Sequence, residues 1–321
     1  MKRTREMLTI RHETRTDHPA VGELNFVAFG CRMDEANVAI FKRNLPSFDP
    51  DLSLVAVHDG RVVGHALFNP QTIRLMDQDV RVTNLAPVAV HPDFQKQGIG
   101  RQLIRAGHEI AREKGYLLDM LLGHTTYYPK LGYLVNAFGA SSVTVNVGDI
   151  PANADADMVI AAPLPTDVPA LVALWEHAEA RVDFSVRPLD TILEWVSPNP
   201  MVSAFVYHRE DHVVGYARLK GAWGERPASV ICFIAADESA ARGMAAHLAR
   251  VSGLSTLDLP LHPYSSGAAA FGELPVANAW EAAMVIPYTE AGAELIEAYY
   301  RAGAIDQRAT GRTMWGTAFD V

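Results

Sequence analysis

Cysteine is scarce in this chain. The two present, Cys31 and Cys232, lie far apart and in no CxxC or Cys/His spacing, so neither a disulfide framework nor a structural zinc site is expected. Both fall in patterns that read as buried helix and buried strand. Long apolar runs are missing as well: no segment approaches the ~18 residues of a membrane helix. The basic opening Met1-Lys2-Arg3-Thr4-Arg5-Glu6-Met7 leads into no apolar stretch of signal-peptide length, so a cytoplasmic location without a membrane partner is expected. Positive charge is not in excess either. A formal net charge of -9 gives no footprint for wrapping nucleic acid, and a phosphate-bearing ligand would have to be held by a local cluster of donors. No GxxxxGK[ST] string occurs, which excludes a P-loop.

What is present is ample apolar material, 49% of 321 residues, enough for two globular units. The chain also repeats itself. Thr16-Asp17-His18-Pro19-Ala20-Val21 recurs as Thr166-Asp167-Val168-Pro169-Ala170-Leu171, an offset of 150 residues. Each copy follows a short apolar strand pattern and opens an apolar-periodic helix, with Asp as N-cap and Pro in the first turn. The strand pair around Asp59-Gly60, Val55 to Ala66, recurs as Phe205-Val206-Tyr207 and Val213-Val214-Gly215-Tyr216-Ala217, at an offset of 151 residues. Two segments repeated in order at one spacing point to a duplicated unit. The small, acidic stretch Gly148 to Asp157 reads as the junction, which places one unit at 1–150 and a second at 156–321. Each half reads as strand, helix, hairpin, long strand, helix, strand, helix, strand. This is an α/β order with a mixed sheet fed by antiparallel hairpins, unlike a Rossmann winding.

The segment from Val82 to Val90 is strand-like yet carries Pro87, which implies a bulge or an unpaired edge. Where neighbouring strands splay at such a bulge, the N–H groups of Val88 and Val90 are left for an extended, amide-bearing ligand such as pantetheine. The loop from His91 to Gln97 then enters a helix whose apolar face is Ile99, Leu103, Ala106 and Ile110, with Gly115 placed to end it. Gly98 and Gly100 sit at its first turn, where unpaired N–H groups and the positive helix end suit a pyrophosphate. Lys96 and Arg101 add cations. These glycines come eight residues after the strand, too late for a dinucleotide fingerprint.

Taken together, Leu85-Ala86-Pro87-Val88-Ala89-Val90-His91-Pro92-Asp93-Phe94-Gln95-Lys96-Gln97-Gly98-Ile99-Gly100-Arg101 resembles the acetyl-CoA motif of the GCN5-related N-acetyltransferases (GNAT family). Tyr128-Pro129-Lys130-Leu131-Gly132-Tyr133 is similar to the Y-x-x-x-G-[FY] ending of the same family. The resemblance implies two tandem acyl-CoA N-acyltransferase (GNAT-like) domains and transfer of acetyl from acetyl-CoA to a primary amine by direct attack. It implies no metal. The cofactor contacts it implies are Val88, Ala89, Val90, Gln95, Lys96, Gln97, Gly98, Ile99, Gly100, Arg101 and His124. It makes Tyr128 the general acid for the departing thiolate, a role Tyr127 could exchange with it. The free N–H of Val88 would polarise the thioester carbonyl. His124 departs from the Asp or Asn common at that position, which puts its cofactor contact in question. The base stays open among Glu35, His65, His124 and a water chain.

In the second half, matching Gly98 to Gly243 puts Ala240-Ala241 where Gln95-Lys96 stand, and no tyrosine ending follows Thr256 to Leu261. That half reads as a copy that has lost the chemistry. The tail from Thr289, with helical Ala293 to Tyr300 and the later Met314-Trp315, has no counterpart after the first copy. It is expected to cover a sheet or to join a second subunit in a homodimer. Two alternative readings remain beside the acetyltransferase: a non-catalytic acyl-CoA sensor, and a transferase using another acyl-CoA donor. The acceptor would be a small-molecule or peptide amine, drawn by Asp34, Glu35 and Asp49.

Overall fold

The computed structural model describes residues 8–76, 78–272, 276–302 and 320; the opening basic segment and Met314-Trp315 lie outside the described residues. The first half runs β1 (Leu8–His12), α1 (His18–Ala28), α2 (Asp34–Lys42), β2 (Ser53–His58), β3 (Arg61–Leu75), β4 (Gln78–Val90), α3 (Ile99–Glu113), β5 (Leu118–Leu122) and β6 (Gly139–Asn146). The second runs β7 (Met158–Ala161), α4 (Val168–Ala178), β8 (Phe184–Val186), β9 (Val202–Arg209), β10 (His212–Lys220), β11 (Ser229–Ala235), α5 (Glu238–Ser252), β12 (Thr256–Leu259), β13 (Val276–Ala279), β14 (Ala283–Pro287) and α6 (Glu290–Ala302).

The β2–β3 hairpin closes where Asp59 and Gly60 both take positive φ, 48° and 79°, as a two-residue turn between right-twisted strands requires. The main sheet has the order β1-β2-β3-β4-β5-β14, and the far end of β3 also pairs with β8. Its β4–β5 pair is parallel and its other pairs are antiparallel. The mixed α/β sheet is therefore as the element order implies. A second sheet has the order β11-β10-β9-β7, and a third the order β12-β6-β13.

The pairing crosses the middle of the chain at three places, one of them the β3–β8 pair. β6 from the first half lies between β12 and β13, while β14 from the second half lies against β5. One core cluster likewise joins Ile73, Val82 and Leu118 to Leu171, Trp175, Trp195 and Ile234.

The repeated Asp does the same work in both halves, though not the work expected of it. Asp17 accepts from the N–H of Thr14 and Asp167 from the N–H of Leu164, each at 2.8 Å. Neither side chain caps the helix that follows; each closes the turn upstream, because the turn's own N–H lies within reach of the carboxylate. Cys31 also departs from expectation. It is exposed in a left-handed turn after α1, beside Gly30, because α1 ends at Ala28. On α3 the buried stripe is Ile99, Leu103, Ile104, Gly107 and Ala111, with Ala106 and Ile110 only half-buried. The stripe is turned because Gly107, lacking Cβ, admits the ring of Phe68 against the helix. The tail helix α6 buries Ile296 and Tyr299 in the shared core and contacts β14.

Candidate active site

The site begins where β4 and β5 part. Their ladder ends at Asn84 opposite Met120. On the other edge of β4 the register with β3 slips, Ala66 facing Val88 and Phe68 facing Leu85. Ala86 and Pro87, joined by a cis peptide bond, together face the single residue Leu67, so the expected bulge is present. His91 donates its N–H to Val63 O at 2.9 Å, toward β3. Alternation along the strand turns Ala89 the same way and leaves the N–H groups of Val88 and Val90 on the open edge. The Val90 carbonyl on that edge accepts from Gln95 Nε2 at 3.1 Å.

A groove of about 530 Å³ runs along this edge. Val88 and Val90 form one wall, and the loop from Phe94 to Lys96 with Gly98 to Arg101 forms its head. His124, Thr126, Tyr127 and Tyr128 close the other side. Of the residues expected to contact a cofactor, Ala89 and Gln97 do not line the groove. Ala89 is buried on the alternate face of β4, and Gln97 turns its amide to Asp93 O at 3.3 Å. Phe94, Thr126 and Tyr127 line the groove without having been singled out as contacts. Sequence offered Phe94 as part of the quoted motif, Tyr127 as an alternative acid, and Thr126 through adjacency alone.

The head of the groove is the start of α3. Gly98 is its N-cap, at φ 85°, and, having no side chain, it leaves the first-turn N–H groups uncapped. They point to an open space carrying the helix's partial positive charge, with Lys96 and Arg101 alongside. Gly100 is needed for a different reason: a Cβ there would lie 2.9 Å from Tyr127 Oη. The start of α5 is unlike this. Asp237 is its N-cap and accepts from Ala240 N–H at 2.7 Å, so the helix end is already occupied by a carboxylate, with Glu238 next to it. Gly243 lies within α5, where a Cβ would strike Met158 and Ala154 O. It is a packing residue, not the counterpart of Gly98. Helix start against helix start, Gly98 corresponds to Asp237.

Tyr128 opens a short 3-10 turn that Gly132 ends at φ 98°. The Tyr127 and Tyr128 N–H groups both donate to the His124 carbonyl. The Tyr128 ring packs on Gly123 and meets Tyr127 and Tyr133 edge-on at 5.1 and 5.6 Å. Burial, reinforced by Tyr127, Asp119 and Glu35, raises the Tyr128 hydroxyl above its usual range, so it holds its proton at neutral pH. Beneath it lies a buried polar group: Asp119 accepts from Thr83 and Tyr133, and His108 Nε2 lies 2.8 Å from the Tyr133 hydroxyl.

The base candidates separate. His65 is fully buried between Ser53 Oγ at 3.3 Å, Asn25 at 3.4 Å and Glu13 at 3.7 Å, away from the groove. Burial lowers its pKa, and it is a core residue. Glu35 is half-buried on the first turn of α2, and burial raises its carboxyl against the pull of Lys42. His124 is exposed at the groove wall. Among the described residues, no group of three or more His, Cys, Asp or Glu could hold a metal ion, and no helix is long and apolar enough to cross a membrane.

Residues 9–135 match the model of the acetyltransferase (GNAT) domain. Over 131 residues the chain is 36% identical to the uncharacterised N-acetyltransferase YjhQ of Escherichia coli K12, spanning 39% of this chain and 72% of that protein. In fold the likeness reaches further. A GCN5-related N-acetyltransferase from Kribbella flavida superposes with a TM-score of 0.65 at 19% identity, over 88% of this chain and 70% of its own. One from Anabaena variabilis superposes with a TM-score of 0.68 at 12% identity, over 89% and 74%. The chain belongs to the GNAT acetyltransferase family.

Proposed function

We propose that this chain transfers acetyl from acetyl-CoA to a primary amine of a small molecule or peptide. The observation that carries the reading is the continuity of one groove, from the open N–H edge at Val88 and Val90 to the uncapped start of α3, with Tyr128 on its far wall. Pantetheine amides pair with the open edge, and the pyrophosphate sits on the N–H groups at Gly98 to Arg101. The amine nitrogen attacks the thioester carbon, whose oxygen takes its charge toward the Val88 N–H. The C–N bond forms, the C–S bond breaks, and the thiolate leaves with the proton of Tyr128 Oη. Glu35, its carboxyl raised by burial, is the acceptor-side base for the ammonium proton. Tyr127, over Gly100, is placed for the cofactor, not for the thiolate.

The second half is proposed to be a related unit without this chemistry. The shared Asp17 and Asp167 turns support kinship, and the self-capped start of α5 supports the loss.

Calorimetry with CoA tests the binding, with one site per chain expected. Tyr128→Phe should leave CoA affinity nearly unchanged and lower turnover by roughly 10²–10⁴-fold. Wild-type turnover in that variant would reject Tyr128 as the acid. CoA binding with no acetylated product across a broad amine panel would favour the sensor reading.

A further inference from the structure

The fork between β4 and β5 is held by a group that no part of the acetyl-CoA motif supplies. Lys42, the last residue of α2, is completely buried. Its Nζ donates to Asn84 Oδ1 at 2.8 Å and to the Ala86 carbonyl at 3.2 Å. Asn84 in turn donates through Nδ2 to the Met120 carbonyl at 3.1 Å. Asn84 and Met120 are the last paired residues before the strands part, and Ala86 stands in the bulge. One nitrogen therefore ties α2, β4 and, through Asn84, β5 together at the point of splay.

An ammonium is a poor choice for a site that only needs filling, since a buried charge is expensive to desolvate and Met fills the same stem volume. Burial brings the Lys42 pKa down to about 7, against Glu35, Asp119 and Glu194, which act to keep the proton. Charged or neutral, the nitrogen has N–H groups enough for both acceptors. The Ala86 carbonyl belongs to the peptide plane next to the one that carries the Val88 N–H, so holding the first aims the second.

We infer that Lys42 is a positioning residue for acyl transfer: with Asn84 it sets the β4–β5 opening and directs the Val88 N–H toward the thioester carbonyl. This inference rests on the acetyl-CoA reading above.

The test uses the full chain labelled with ¹⁵N-valine and titrated with acetyl-CoA, following the Val88 and Val90 amide resonances. Both should respond in the wild type. In Lys42→Met the Val90 response should persist while that of Val88 is lost. Turnover with an amine the wild type accepts should fall by about 10- to 100-fold, with the KM for acetyl-CoA held within about threefold. Asn84→Leu gives a second, independent lesion and should reproduce the pattern. The double variant should be no slower than the slower single by more than about threefold, because the two lesions break one clamp. Intact Val88 response and turnover in either folded variant would overturn the inference, as would parallel loss of both valine responses with a raised KM. A wild-type chain in which neither valine responds rejects the acetyl-CoA reading itself, a different failure from the first two.

Discussion

Glu13 shows how a carboxylate can be buried away from the groove and stay charged. Desolvation alone would raise its pKa, yet Ser53 and Arg43 donate to it, His65 lies at 3.7 Å, and the net value falls to about 2 from an ordinary 4.5. A depressed folded pKa contributes stability that is present above the unfolded value and lost as pH falls through the folded one. The Glu13 contribution is therefore full above about pH 4.5 and lost between there and about pH 2. His65, whose pKa burial also lowers, adds a loss of the same sign beginning below 6.5. Glu13→Gln should destabilise the chain at neutral pH by on the order of 3 kcal/mol. In thermal melts run from pH 7 down to 2, the gap between variant and wild type should narrow below about pH 4.5. A constant gap across that range would mean that the side chain contributes packing and not charge. None of this was legible in the sequence, where Glu13, Ser53 and His65 are separated by strands and look unrelated.

At the scale of elements, the contrast is between two helix starts. Eight residues, His91 to Gly98, separate β4 from α3, whereas only Ala236 and Asp237 separate β11 from α5. The long loop lets the first turn of α3 stand open; the short one brings Asp237 onto the N–H of Ala240. The glycines and cations of the first loop were readable because their chemistry is local. The second was misread, since matching Gly98 to Gly243 took a glycine within the helix for the one at its start, and Gly243 is required where Met158 and Ala154 O meet the helix. Gly100→Ala should push Tyr127 aside and weaken CoA binding by about tenfold, read by calorimetry, with little change in melting. Asp237→Ala should destabilise the chain by about 1 kcal/mol through the lost cap and leave the CoA stoichiometry at one. A second CoA site appearing in Asp237→Ala would show that the carboxylate alone silences that half.

At the scale of the whole molecule, the repeat at an offset of 150 pointed to two units meeting near position 150, and strand pairing links residues on both sides of it. β14 lies against β5, with Leu134 bridging to Val285 on its other edge, and β6 is held between β12 and β13. Sequence periodicity marks which residues form strands and cannot name partners some 160 positions away, so the exchange was invisible to it. A fragment of residues 1–150 loses the neighbour of β5, both neighbours of β6 and the β8 partner of β3, exposing four strand edges at once. It also strips Met284, Val285 and Trp195 from cores it shares. Expressed alone, it should aggregate. Expressed together with residues 151–321 as a separate chain, it should be recovered soluble and co-purify at one to one, because these exchanges depend on pairing and not on the covalent link at 150. Affinity purification through a tag on either fragment, followed by CoA titration of the product, reads both points. A soluble, monomeric fragment 1–150 that binds CoA as the full chain does would show that β14, β12 and β13 contribute nothing the site requires, and the interlocked arrangement would then have to be explained by the second half's own needs.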